Sequence, residues 1–286
     1  MKNILYNSLS KLDIISWTAV ILFFTLSSLF LGGNILYSFG GAILIIVLMF
    51  FVGFSIELML EILKDKKGIG KISGFITNGP EALVVLIGLI SGDILFASST
   101  PLGSNIMNPL LLILAIILFW KIINFKKFGY KLFFTIGFLI LALLAISFFV
   151  IPENYYIYWA IIGLVFSIYF FSKKYDNQDI QQKEDEETGN KISNIYLVLA
   201  FIVLLISGYY LGPVLEFTSE VSAVSKGIIG FFVLSFLTSW PEFKSIISLL
   251  KRQKILASFE NILVSSITNI WLAIIGIVVG IIIGII

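Results

Sequence analysis

Ile76-Thr77-Asn78-Gly79-Pro80-Glu81 is followed, 23 residues after its glutamate, by Ser104-Asn105-Ile106-Met107-Asn108. The arrangement returns as Leu237-Thr238-Ser239-Trp240-Pro241-Glu242 with Ser265-Ser266-Ile267-Thr268-Asn269, its shared residues at a constant offset of 161. In each copy the proline lacks the amide hydrogen that would bond the carbonyl four residues back, Ile76 or Leu237, and its ring crowds that turn. A carboxylate stands beside the break, and the next helix carries a Ser/Asn face. Thr77 and Glu81, Ser104 and Asn108, Thr238 and Glu242, and Ser265 and Asn269 are i,i+4 pairs, each on one helix face. Four such faces converging make an oxygen-rich cluster suited to a hard cation such as calcium or sodium, at the interface of two repeats.

The rest of the chain says where such a cluster sits. Of its 286 residues, 59% are hydrophobic and only 13% charged, with a mean hydropathy of +1.06. That leaves too little polar surface for a soluble globule of this size, and long apolar stretches between short charged loops select membrane-spanning helices. Nine spans are expected, near 13–33, 38–63, 69–91, 96–120, 131–150, 155–172, 194–212, 223–250 and 258–286. The fold class is therefore an all-α polytopic membrane protein with two inverted repeats and Pro-broken helices. The first apolar segment is long and lacks a small-residue cleavage site, so no cleavable signal peptide is expected.

Cysteine and histidine are absent. Disulfides, thiolate nucleophiles, imidazole bases and the usual zinc ligands are excluded together, no enzyme activity is expected, and no cofactor is implied. The formal net charge of +2 is sorted by membrane side rather than gathered in a nucleic-acid-binding patch. Between the expected spans, 17 of the 19 Lys and Arg fall on alternate loops, while the opposing loops carry Asp93, Glu153, Glu216 and Glu220. The positive-inside rule then puts the N-terminus in the cytoplasm and the C-terminus outside. Five crossings separate the third span from the eighth, and an odd number reverses direction, so the two copies are inverted repeats in the membrane plane.

This layout divides the chain into an N-terminal membrane half, 1–172, with the first repeat at about 69–120, and a C-terminal half, 194–286, with the second at about 223–286. Residues 173–193 hold Asp176, Asp179 and the run Glu184 to Glu187 with almost nothing to bury, and read as an acidic cytoplasmic linker. Gly103 and the Gly40-Gly41 pair are expected to permit close helix approach.

Glu81 and Glu242 fall mid-helix, far in sequence from any charged loop, where an ionised carboxylate costs about 2.5–3.5 kcal/mol on insertion scales. A lone Glu there is accommodated by protonation and a bond to a neighbouring helix, and Ser and Asn alone serve as helix–helix glue. Their recurrence at equivalent places favours a functional site. Lys244 points to a different side of its helix from Glu242, which leaves it to pair with an acid, reach the inner interface or modulate the site.

These residues resemble the two α-repeats of the sodium/calcium exchanger (cation/calcium antiporter) superfamily, whose pattern is roughly Gly-Thr-Ser-x-Pro-Glu, then Gly-Asn-x-x-Gly-Ser-Asn-x-x-Asn/Asp on the following helix. The resemblance implies alternating access around a central site, with calcium held mainly by Glu81 and Glu242. It implies that Thr77, Thr238, Ser104, Ser265, Asn108 and Asn269 complete the ion sites. Ile76 and Leu237 replace the leading glycines, Asn78 replaces a serine, Trp240 replaces a small aliphatic residue, and Glu260 stands where the family has glycine. Asn269 occupies a position that is often Asp in sodium-coupled members. Two carboxylates suffice for one divalent ion or two protons, whereas three sodium ions would leave excess positive charge. The usual member has ten helices, five per half, against an extra first helix here and three helices in the second half. The implied function is a secondary antiporter of the plasma (inner) membrane, exchanging calcium for sodium or protons, its partners being small inorganic cations and the lipid bilayer. The alternative is a non-transporting scaffold or sensor built on the same fold.

Overall fold

The computed structural model describes residues 11–63, 75–119, 129–173, 195–251 and 254–284. The expected acidic linker, apart from Lys173, lies outside the described residues, as do many of the loop lysines. Within those limits every regular element is helical: α1 (Lys11–Leu31), α2 (Ile35–Leu63), α3 (Gly79–Ile90), α4 (Ile94–Leu118), α5 (Lys131–Phe148) and, after a 3₁₀ turn at Glu153–Tyr155, α6 (Tyr156–Ser172). The second part runs through α7 (Ile195–Ser222), α8 (Lys226–Ile228), a π-helical segment (Ile229–Leu234), α9 (Ser235–Thr238), α10 (Trp240–Lys251) and α11 (Ile255–Ile282).

Among the described residues seven helices, α1, α2, α4, α5, α6, α7 and α11, are long and apolar enough to cross a membrane. The expected third and eighth spans are not continuous helices. In the third, a turn at Thr77–Asn78 precedes α3, whose first turn holds Pro80. In the eighth, the chain passes through the π-helical segment and α9, breaks at Ser239, and restarts as α10 with Pro241 in its first turn. Proline fits there because the first amides of a helix have no intrahelical acceptor to lose.

One boundary changes. The seventh helix continues to Ser222 instead of ending near 212, with Pro213 inside it, so Glu216 and Glu220 belong to its last turns and not to a loop. Membrane helices tolerate an internal proline where local adjustment satisfies the freed carbonyl, so the helix runs on through Pro213. Asp93 lies in the loop before α4, as expected, and serves as its N-cap, accepting from the Phe96 amide at 2.8 Å.

The centre of the molecule is α4 and α11. In their most apolar windows 50% and 61% of residues are buried, against 22–33% in the other five long helices. Asn108 of α4 bonds Ser265 of α11, and a Cβ on Gly276 of α11 would lie 3.8 Å from Ser98 Oγ of α4. Residue numbers thus rise along one helix as they fall along the other, the antiparallel crossing that an inverted pair requires. Around this pair the repeats exchange partners, α3 lying on α11 while α9 and α10 lie on α4.

Gly103 makes that exchange possible, since a Cβ there would collide with the Phe231 carbonyl of the π-helical segment. Gly41 similarly lets α2 approach Thr218 of α7, whereas Gly40 faces open space. The apolar interior falls into two clusters. One joins α1, α2, α7 and the π-helical segment through Phe24, Ile45, Met49, Leu211, Leu215 and Val233. The other joins α4, α5, α6, α10 and α11 through Leu112, Phe134, Trp159, Phe243, Phe259 and Ile270. Lipid tails match Leu and Ile in polarity, so close contact and hydrogen bonds hold such helices together rather than escape from water. The bond from Trp271 Nε1 of α11 to Ser167 Oγ of α6, 2.8 Å, is one of these.

Candidate cation site

The two breaks bring a polar cluster into the core. Thr77, Glu81, Ser104, Asn108, Thr238, Glu242, Ser265 and Asn269 are all fully buried. Each glutamate stands in the first turn of a short helix, α3 or α10, beside a proline, so its place follows directly from the broken-helix sequence.

Ser104 Oγ donates to Glu81 Oε1 at 3.0 Å and lies 3.2 Å from Thr238 Oγ1. In the other half Ser265 Oγ stands 3.0 Å from Glu242 Oε1. The threonines reach across: Thr238 stands close to Glu81 and Thr77 close to Glu242. Each carboxylate is therefore bonded by the serine of its own repeat, with the threonine of the other beside it. The two glutamates are electrostatic neighbours, so one buried centre carries two carboxylates.

Asn108 Nδ2 donates to Ser265 Oγ at 2.9 Å, which ties α4 to α11. Asn269 is brought to the same layer but makes no hydrogen bond to the other seven, both of its amide atoms lacking a partner within the protein. Glu81 Oε2, Glu242 Oε2 and Asn108 Oδ1 lack one as well. Leaving a buried acceptor unsatisfied costs about 1–3 kcal/mol, more when it is charged. An all-oxygen set of carboxylate, hydroxyl and amide groups is the kind that calcium or sodium satisfies.

Three residues outside the expected set share this core. Asn78 bonds Ser265 twice, donating from Nδ2 to its carbonyl at 2.8 Å and accepting from its hydroxyl at 2.7 Å. Its counterpart Ser239 is buried with no partner for its hydroxyl. Asn105, level with Asn269 in the α4–α11 register, is buried with neither amide atom paired. The sequence marked Asn78 only as a departure from a pattern. Its position in the two-residue turn at the helix break was the usable signal.

Lys244 takes the first of the roles open to it and pairs with an acid: its Nζ lies 3.0 Å from Asp13 Oδ1 of α1, which also accepts from Trp240 Nε1 at 2.7 Å. Trp240, bulky for its place, stacks at a tilt between Phe236 and Phe243. Glu260 is half-buried near the start of α11.

No curated protein matches the chain at a significant level. Residues 192–285, which hold Thr238, Pro241, Glu242, Ser265 and Asn269, match the family model described as sodium/calcium exchanger protein. With the all-helical membrane fold around the doubled site, that match supports membership of the sodium/calcium exchanger superfamily.

Proposed function

We propose that this chain is a secondary cation antiporter of the plasma (inner) membrane, exchanging calcium for sodium or protons by alternating access around Glu81 and Glu242. One observation carries the reading. Two fully buried carboxylates from equivalent helix breaks are each anchored through Oε1 and each present an Oε2 with no partner in the protein. Two negative charges match one divalent ion or two protons. Lys244, the cation nearest in sequence to Glu242, is engaged by Asp13.

The surroundings support movement about that centre. Phe236 packs against both apolar clusters, and rocking of one helical group against the other would expose the site to alternate faces. A ligand that binds one arrangement better than the other shifts the balance between them. The lysine distribution supports a cytoplasmic N-terminus and a C-terminus outside. The two glutamates are the primary ligands, with Thr77, Thr238, Ser104, Ser265, Asn108 and Asn269 around them.

The test is calcium uptake by proteoliposomes holding the full chain, under an imposed sodium or pH gradient. Flux under one gradient, lost in Glu81→Gln and in Glu242→Gln, is the expected result and names the coupling ion. Absence of flux under both gradients, with calcium binding unchanged in both variants, sinks the proposal. A non-transporting sensor is the second reading, and the tie from Asp13 to α10 favours it, because that tie fastens a helix outside the repeats to one that bears a site carboxylate. Calcium-dependent thermal stabilisation without flux would select it.

A further inference from the structure

Ser104 and Ser265 are equivalent in sequence but not in their hydrogen bonds. A hydroxyl has one hydrogen to give and two lone pairs. Ser104 Oγ has Glu81 Oε1 at 3.0 Å, with Thr238 Oγ1 at 3.2 Å and the Ser235 carbonyl at 3.5 Å as the other acceptors within reach. Its hydrogen belongs to Glu81, because a charged acceptor outcompetes neutral ones and these are also farther away.

Ser265 Oγ receives a hydrogen from Asn108 Nδ2 on one lone pair and faces two acceptors, Glu242 Oε1 at 3.0 Å and Asn78 Oδ1 at 2.7 Å. One hydrogen cannot serve both. The orientation of Asn78 is fixed by its other bond: its Nδ2 donates to the Ser265 carbonyl at 2.8 Å, which leaves Oδ1 facing the hydroxyl. A flipped amide would set two carbonyl oxygens against each other.

A cation arriving at Glu242 would draw electron density from the carboxylate and weaken Oε1 as an acceptor. The Ser265 hydrogen then has a closer acceptor already in place, and as the hydroxyl turns, its second lone pair faces the cation. Ser104 has only weaker alternatives, Thr238 Oγ1 at 3.2 Å and the Ser235 carbonyl at 3.5 Å, both farther from it than Glu81. Its counterpart of Asn78 is Ser239, whose hydroxyl reaches no partner.

We propose that Asn78 is a positioning residue that accepts the Ser265 hydroxyl hydrogen when a hard cation binds, turning Ser265 from donor into ligand and making the Glu242 half of the site the stronger. The inference rests on the reading of Glu81 and Glu242 as cation ligands and adds an inequality between the two halves. It assigns a role to a residue that contacts the ion only through another.

The experiment is calcium titration of the purified full chain by calorimetry, with the melting temperature of each variant measured in calcium-free buffer. Asn78→Ala and the milder Asn78→Ser, which copies the other repeat, are compared in the wild-type and Ser265→Ala backgrounds. Loss of one such hydrogen bond weakens calcium binding by about tenfold in the wild-type background, with nearly no further loss once Ser265 is alanine. A merely structural role would lower the calcium-free melting temperature and weaken binding equally in both backgrounds. Unchanged affinity in the Asn78 variants, or equal weakening in both backgrounds, overturns the role of Asn78 while Glu81→Gln and Glu242→Gln still abolish binding. A wild-type protein that binds no calcium, or glutamine variants that bind as well as wild type, overturns the underlying reading and this inference with it.

Discussion

Helices α3 and α10 carry the same proline and glutamate, yet they are fastened to the rest of the molecule by different means. Gly79 and Leu83 in the first occupy the places of Trp240 and Lys244 in the second. Leu83 lies against α7, where a Cβ on Gly208 would meet its Cδ1 at 2.7 Å. Trp240 and Lys244 are instead held by the Asp13 carboxylate of α1, which is 3% exposed. An apolar contact of the first kind slides at little cost, whereas a buried ion pair resists separation because each charge left alone is poorly solvated. The half-helices thus share their proline and glutamate while their outer supports differ.

The strongest way to break this comparison is to remove a carboxylate from one copy. Glu81→Gln and Glu242→Gln each leave one charge facing a divalent ion, and each is expected to weaken calcium binding by about 100-fold or more, the scale set by truncating one member of a buried charge pair. Calorimetric titration reads the loss. If one variant binds like wild type, the two copies are not equivalent in chemistry and a single carboxylate holds the ion.

The supports respond to a different substitution. Lys244→Met removes the ammonium 3.0 Å from Asp13 Oδ1 and is expected to cost up to about 3 kcal/mol, read as a fall in melting temperature. Adding Asp13→Asn should recover part of that loss, since the carboxylate that faced the ammonium goes with it. Leu83→Met at the equivalent place is a volume-conserving exchange, expected to cost less than about 1.5 kcal/mol. Equal destabilisation by Lys244→Met and Leu83→Met would show that the polar tie contributes nothing beyond contact.

Local pattern made much of this visible in the sequence. Pro80 and Pro241 located the helix breaks, the i,i+4 spacing placed Thr with Glu and Ser with Asn, and Gly103 marked the close approach to the π-helical segment. The exchange of partners was not visible, because Ser104 meets Thr238 across 134 residues and Asn78 meets Ser265 across 187. Nothing in either segment states which helix the other will cross. Asp13 was hidden for another reason. It follows Lys11 at the start of the first expected span, where an interfacial charge is ordinary, and only the closed fold sets it against Trp240, 227 residues away. The end of α7 was misjudged because Pro213, Glu216 and Glu220 carry the composition of a loop, while the helix continues to Ser222.

The finest probe of the tie is a single hydrogen bond. Trp240→Phe removes the Nε1–H that Asp13 Oδ1 accepts at 2.7 Å and keeps an aromatic ring between Phe236 and Phe243. Loss of one hydrogen bond to a carboxylate that keeps its Lys244 partner is expected to cost about 1–2 kcal/mol. Its informative form is a double-mutant cycle with Lys244→Met. Both substitutions act on the same oxygen of Asp13, so their costs should not add. Residues that share a partner typically show interaction energies of about 0.5–3 kcal/mol. Strict additivity in thermal denaturation would mean that Trp240 acts through its stacking alone. Non-additivity would show that indole and ammonium jointly hold one carboxylate, and that α1 is fastened to the glutamate-bearing helix of one repeat by a support the other repeat lacks.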